Sequence, residues 1–216
     1  MGTLVYGLNI DFHIYREWIE ENYEVTGYYD ADKTRMPEDK GINLDVNPEL
    51  IHTFDMVLVC ADPVSIVADL KEKFDFPISR IKILFYELLK SKHAIQQFNG
   101  SYSEDAVLML LMLKIRKRIT QLRYLEIGTN DPVRANNTFS FYEAGARGVL
   151  VDPLPIVGDL VNMIRPEDRY INAAISETSG DAVSFYACKS STVSSLKEEH
   201  HEKWNGMSHK IVHEKS

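Results

Sequence analysis

The residues with chemistry to offer are Glu126, Gly128, Asn130 and Asp152, in the runs RYLEIGTND (Arg123–Asp131) and GVLVDP (Gly148–Pro153). The first run reads as a short buried strand, Tyr124 to Ile127, that breaks into a turn at Gly128-Thr129-Asn130. The second reads as a buried strand, Val149-Leu150-Val151, ending on Asp152, with a helical segment, Phe139–Ala146, between the two. A strand, a glycine turn, a helix and a second strand closed by an acid make a nucleotide-binding geometry. Gly128 has no Cβ, so the backbone can turn sharply there and approach a ligand. Asp152 follows it by 24 positions (152 minus 128), close to the roughly 20-residue spacing at which an acid meets ribose hydroxyls. No full GxGxxG is present, so the spacing alone does not name a ligand.

The wording around these residues is more specific. The run LEIGTNDPVRANNTFSFYEAGARGVLVDP, followed by YINAAISETSGDAVSFY, resembles the FkbM-type methyltransferases of the S-adenosylmethionine-dependent superfamily. The match covers about Arg123 to Leu196. It implies that Glu126, Ile127, Gly128, Thr129 and Asn130 form the methionine side of a cofactor cleft, with Thr138 in the family-like Asn136–Thr138 run. It also implies a ribose-binding acid at Asp152, followed by Pro153, and adenine-side residues at Asn172, Ala173 and Ala174 before Ile175. The implied cofactor is S-adenosylmethionine, and the implied reaction is O-methyl transfer to a sugar or glycan hydroxyl. Family members continue with a strand resembling L-K-I-D-V-E-G, whose acids lie near the site of methyl transfer. The sequence has no such run, though Lys210-Ile211-Val212 could begin the connection toward it. The expectation is therefore the first half of a class I methyltransferase domain, completed by a homodimer partner or a complementing C-terminal half.

The elements that must position these residues follow from periodicity. The expected fold class is α/β: two Rossmann-like αβα units with mostly parallel sheets, the second an incomplete class I methyltransferase fold. The expected divisions are an N-terminal module over 1–98, a connecting helix over 99–122 and the methyltransferase-like part with a polar tail over 123–216. In the module, Thr3–Tyr6 and Glu24–Tyr29 are strands around a helix over Ile10–Glu20. Asp55–Ala61 and Ile81–Phe85 are strands around a helix that Pro63 opens, since a first-turn proline loses no hydrogen bond. Gly7 and Asp30 repeat the glycine-to-acid layout at 23 positions (30 minus 7), but in degenerate form. Asp11 would repel a phosphate placed at the helix N-terminus, which otherwise favours anions. The module thus reads as structural or docking, with nucleotide-sugar binding through Gly7 and Asp30 as the alternative.

Further along, Tyr86–Phe98 reads as a helix, and a second helix runs from Ser103 to about Leu122. Its middle, Val107–Leu113, is apolar nearly all round, which predicts burial on more than one side. Lys114, Arg116, Lys117, Arg118 and Arg123 near its end complement the negative helix terminus. Pro155–Arg165 is expected as a helix and Tyr170–Ser176 as a strand. Ala182–Cys188 is expected to pair back through a tight turn at Glu177–Gly180, with Ser190–Ser195 as loop. The tail Lys197–Ser216 reads as polar and solvated. His209 and His213 stand at helical i, i+4 spacing, but without the glutamate of a zinc-binding HExxH.

Composition narrows the class. The chain has 216 residues, 44% hydrophobic and 26% charged, with a formal net charge of −8. That charge argues against general nucleic-acid binding, which needs a basic face to displace counterions. No apolar run approaches the roughly 20 residues that span a bilayer. The N-terminus has no signal-peptide pattern. Cys60 and Cys188 lie far apart in apolar runs, as thiols do in a reducing compartment, so a cytoplasmic setting is expected. A non-catalytic binding or assembly module is the alternative of a different class.

Overall fold

The computed structural model describes residues 2–92, 100, 104–114, 119–176, 182–188, 194–196 and 208–214. Two units divide the chain, Met1–Gln96 and Gln97–Ser216. The segment expected as a connector over 99–122 falls in the second.

In the first unit, four apolar runs become the strands β1 (Thr3–Tyr6), β2 (Val25–Tyr29), β3 (Met56–Val59) and β4 (Ile81–Ile83). They pair in the order β2-β1-β3-β4, all parallel. Parallel pairing requires crossovers; α1 (Ile10–Asn22) and α2 (Pro63–Glu72) supply two of them, and α3 (Leu84–Lys90) follows β4. Asn9 caps α1, its Oδ1 accepting from the backbone N–H groups of Asp11 and Phe12 at 3.1 and 3.2 Å. Asp62 caps α2 by accepting from Val64 N, with Pro63 in the first turn. These caps satisfy donors that the start of a helix otherwise leaves open. Phe12 and Ile19 of α1 pack against Val5, Tyr28 and Leu58 of the sheet and Leu84 and Leu88 of α3. Cys60 lies in the same core.

The second unit begins with α4 (Glu104–Lys114) and continues through β5 (Arg123–Ile127), α5 (Phe139–Glu143), β6 (Arg147–Asp152), α6 (Pro155–Ile164) and β7 (Arg169–Asn172). β5, β6 and β7 form a parallel sheet in that order. Both units are α/β, with parallel sheets flanked by helices in Rossmann-like αβα form. The buried face of α6, Ile156, Val157, Leu160 and Val161, supplies much of this unit's core together with Leu150 and Val151 of β6.

Three expectations are corrected. β5 is not a buried strand: Leu125 and Ile127 are 63% and 58% exposed. The strand ends the sheet order, and alternate residues of a strand point to opposite faces, so Leu125 and Ile127 share the face left uncovered. α4 is likewise not enclosed, because Val107, Leu108, Leu110 and Leu111 are exposed. Helix apolarity predicts burial only where other elements cover each side, and among the described residues none covers this one. Finally, β8 (Ala182–Cys188) does not pair back on β7. It forms an antiparallel pair with β9 (Ser208–Glu214), in register from Ala182↔Glu214 to Cys188↔Ser208. The tail therefore contains a strand, for which β-branched Ile211 and Val212 are suited. His209 and His213 therefore lie on a strand and not at helical spacing. The expected N-cap at Ser103 and the turn Glu177–Gly180 lie outside the described residues.

Candidate functional site

The carboxyl ends of β5 and β6 bring the glycine turn and the acid together. Gly128 has φ of 77°, and its N–H donates to Val151 O at 2.8 Å. A Cβ built on Gly128 would meet nothing within 4 Å. Backbone conformation thus requires glycine here, and the space in front of it is open. The corresponding turn of the first unit is different. Gly7 has φ of 89°, and its Cβ would stand 2.6 Å from the Cβ of Ala61, just beyond β3. The strand that completes the first sheet on the far side of β1 also fills its turn; among the described residues β5 has no such neighbour.

Asp152 ties the second turn down. Its Oδ2 accepts from Asn130 N and its Oδ1 from Leu154 N, both at 2.9 Å. Burial pushes its carboxyl up from the usual range, partly offset by those two N–H groups. Asn130, which accepts the left-handed φ of 50°, has a buried Oδ1 without a partner among the described residues. Asp30 plays the same part in the first unit, accepting from Leu8 N at 2.6 Å and Asp32 N at 2.8 Å. Both acids that close the glycine-to-acid spacing therefore hold the turns with their own oxygens.

A cleft of about 490 Å³ opens beside β5. Tyr124 through Gly128 form one wall; Leu108 and Met112 of α4, with Leu122, another; Ala135, Asn137, Thr138 and Phe141 complete it. Glu126 is the one carboxylate lining it among the described residues. Its Oε1 accepts from Asn137 N at 3.2 Å and its Oε2 from the Thr138 hydroxyl.

Of the residues singled out by sequence, Glu126, Ile127, Gly128 and Thr138 line this cleft. Thr129 and Asp152 are buried beneath the turn. Asn130 and Pro153 lie at the turn ends, Asn172 is exposed at the end of β7, and Ala173 continues the ladder by donating to Asp152 O at 3.1 Å. Ala174 follows, partly exposed.

Sequence reasoning missed Arg165, fully buried just beyond α6. Its five N–H donors are all used. Nε donates to Asp168 at 2.9 Å, Nη1 to Pro132 O and Asn136 Oδ1 at 3.1 and 2.9 Å, and Nη2 to Tyr124 Oη and Thr138 Oγ1 at 2.9 and 2.8 Å. Glu126 lies 3.8 Å from the same guanidinium. Asp168 further accepts from Gly148 N at 2.7 Å and Tyr124 Oη at 2.6 Å. Burial raises the Tyr124 phenol, and its bond to Asp168 adds to that while Arg165 opposes it. The signal in the sequence was an arginine ending an apolar helix with an acid three positions on.

Fold and cleft define a two-unit α/β protein of Rossmann-like build, with a ligand-sized opening at strand ends in the second unit. No family model matches the chain, and no curated protein matches it. Among solved structures it is similar to a D-isomer specific 2-hydroxyacid dehydrogenase from Lactobacillus delbrueckii ssp. bulgaricus in its NAD-complexed form, at 13% identity and a TM-score of 0.24. The likeness covers 80% of this chain and 58% of that one, so the chain spans little over half that protein's length. At that score the likeness carries no argument about fold or ligand.

Proposed function

We propose that the second unit holds S-adenosylmethionine and that the chain serves O-methyl transfer, of the FkbM type, to a sugar or glycan hydroxyl. The observation that carries this reading is the open space before Gly128, at a strand's carboxyl end, in a cleft whose one carboxylate among the described residues is Glu126. The residues present suit the cofactor. The cleft pairs apolar walls with one carboxylate among the described residues, which suits the aliphatic chain and the ammonium of the cofactor's amino-acid end. Glu126 receives the ammonium of the amino-acid end, and the Gly128 turn lets the backbone come close. Asp152 holds the turn in place, while Pro153, Asn172, Ala173 and Ala174 stand at the neighbouring strand ends outside the cleft lining. When bound, the cofactor supplies an electrophilic methyl group. The protein's part is to orient it and to keep water from its apolar flank. The setting we infer is cytoplasmic.

The test is calorimetric titration of S-adenosylhomocysteine into the full chain, with Glu126→Gln as control. A hydrogen bond to a charged group is worth about 1.5–3 kcal/mol, so the variant binds about 10- to 100-fold more weakly. A folded wild-type chain that binds nothing at millimolar ligand refutes the proposal.

One observation favours a second reading, a non-catalytic assembly module. Leu125 and Ile127 of β5 and four apolar residues of α4 are exposed, and an uncovered strand edge invites pairing. A second copy of the chain or a partner protein would cover them. Sedimentation that shows a monomer at all concentrations, both alone and with candidate partners, would count against it.

A further inference from the structure

Arg165 does not line the cleft, yet the wall of the cleft is built on it. Three charges meet behind β5: the Arg165 guanidinium, Asp168 at 2.8 Å and Glu126 at 3.8 Å. The closer pair formally cancels, which leaves Glu126 as a negative charge in excess beside the cleft. Two hydroxyls pass the effect of Arg165 onward. Thr138 Oγ1 accepts from Arg165 Nη2, so its own proton is directed to Glu126 Oε2. Tyr124 Oη accepts from the same nitrogen and donates to Asp168. Asn137 N, from the loop that Arg165 anchors through Pro132 O and Asn136, holds Glu126 Oε1. Both oxygens of the cleft's carboxylate are thus placed by groups that Arg165 organises.

We propose that Arg165 is a positioning residue that presents Glu126, as a carboxylate in charge excess, to the ammonium group of a ligand's amino-acid end. The inference rests on the cofactor reading above and deepens it: Glu126 touches the amino-acid end, and its aim is set from behind the wall by a residue that does not. Lysine cannot replace arginine here, because a point charge on a flexible stem cannot reach acceptors arrayed around a planar fork.

The experiment compares two ligands by calorimetry on the full chain. S-adenosylhomocysteine carries the amino-acid end, and 5′-methylthioadenosine lacks it. For Arg165→Lys, affinity for S-adenosylhomocysteine falls about 10- to 100-fold, the scale on which loss of an orienting partner weakens a ligating side chain. Affinity for 5′-methylthioadenosine stays within about twofold, a margin of some 0.4 kcal/mol. Thr138→Ala cuts the link to Glu126 while Arg165 and Asp168 stay paired, and it gives the same selective loss. It therefore decides the matter even if Arg165→Lys does not fold. Equal weakening of both ligands, or of neither, overturns the positioning role and leaves the cofactor reading standing. If the wild-type chain binds neither ligand, the cofactor reading fails and this inference fails with it.

Discussion

Alanine at Gly7 and at Gly128 separates a turn filled by the protein from one open to a ligand. Both glycines have positive φ, 89° and 77°, so alanine at either pays the left-handed penalty of about 1–2 kcal/mol. At Gly128 nothing more is added, since no atom lies within 4 Å of the new methyl group. At Gly7 the methyl would stand 2.6 Å from Ala61 Cβ and 3.2 Å from Ala61 N, with backbone that cannot swing aside. Overpacking of this kind costs about 1–3 kcal/mol more. The expected losses are therefore about 2–5 kcal/mol for Gly7→Ala and about 1–2 kcal/mol for Gly128→Ala. Hydrogen exchange read by mass spectrometry suits the comparison, because it reports opening free energies region by region. Peptides from β1–β3 and β5–β6 then serve as each other's reference in the two variants. If Gly128→Ala destabilises its unit as much as Gly7→Ala does, the space before Gly128 is occupied by protein and the cleft argument fails.

Arg165→Met strands Asp168 and removes a donor from four other acceptors; breaking a buried pair of this kind costs about 3–5 kcal/mol. Exchange in β5–β7 should rise accordingly while the first unit is unchanged, and a loss below about 1 kcal/mol, the scale of an exposed ion pair, would contradict the network. Tyr23 gives a pH prediction. Burial, then Glu87 and Cys60, push its phenol up to about 12, so the neutral form is favoured in the folded state. Its contribution is complete below the free-phenol value of about 10 and is lost as pH rises through the raised value. Tyr23→Phe should therefore lessen the alkaline fall in the urea midpoint of the first unit, and an unchanged profile would refute the assignment. Leu125→Lys places charge on the exposed face of β5 and should lower any self-association seen by sedimentation; unaltered association would remove β5 from the interface.

The parallel units were legible because each strand is a short apolar run and each crossover carries its own helix signals, such as Asn9, Asp62 and Pro63. The glycine-to-acid spacing correctly placed Gly128 beside Asp152. It did not reveal that Asp152 spends an oxygen on Asn130 N and another on Leu154 N, because spacing says which residues meet and not which hydrogen bonds they choose. The apolar middle of α4 showed that it seeks cover, but whether cover exists depends on other elements. Arg165 was read as a helix end because arginine is rarely buried. Its burial becomes favourable only once five acceptors, from β5, the loop over 132–138 and Asp168, converge on it. β9 was hidden by the charged and histidine residues around Ile211 and Val212.

The central claim is that a cofactor lies along the exit of β5. Amide chemical shifts of the nitrogen-15-labelled chain, recorded as S-adenosylhomocysteine is added, test it most directly. The account predicts shifts concentrated at Glu126–Asn130 and at Asn137 and Thr138, with Gly7 and Leu8 of the first unit unmoved. Shifts centred on Gly7 and Asp30, or none in a folded chain, would contradict it.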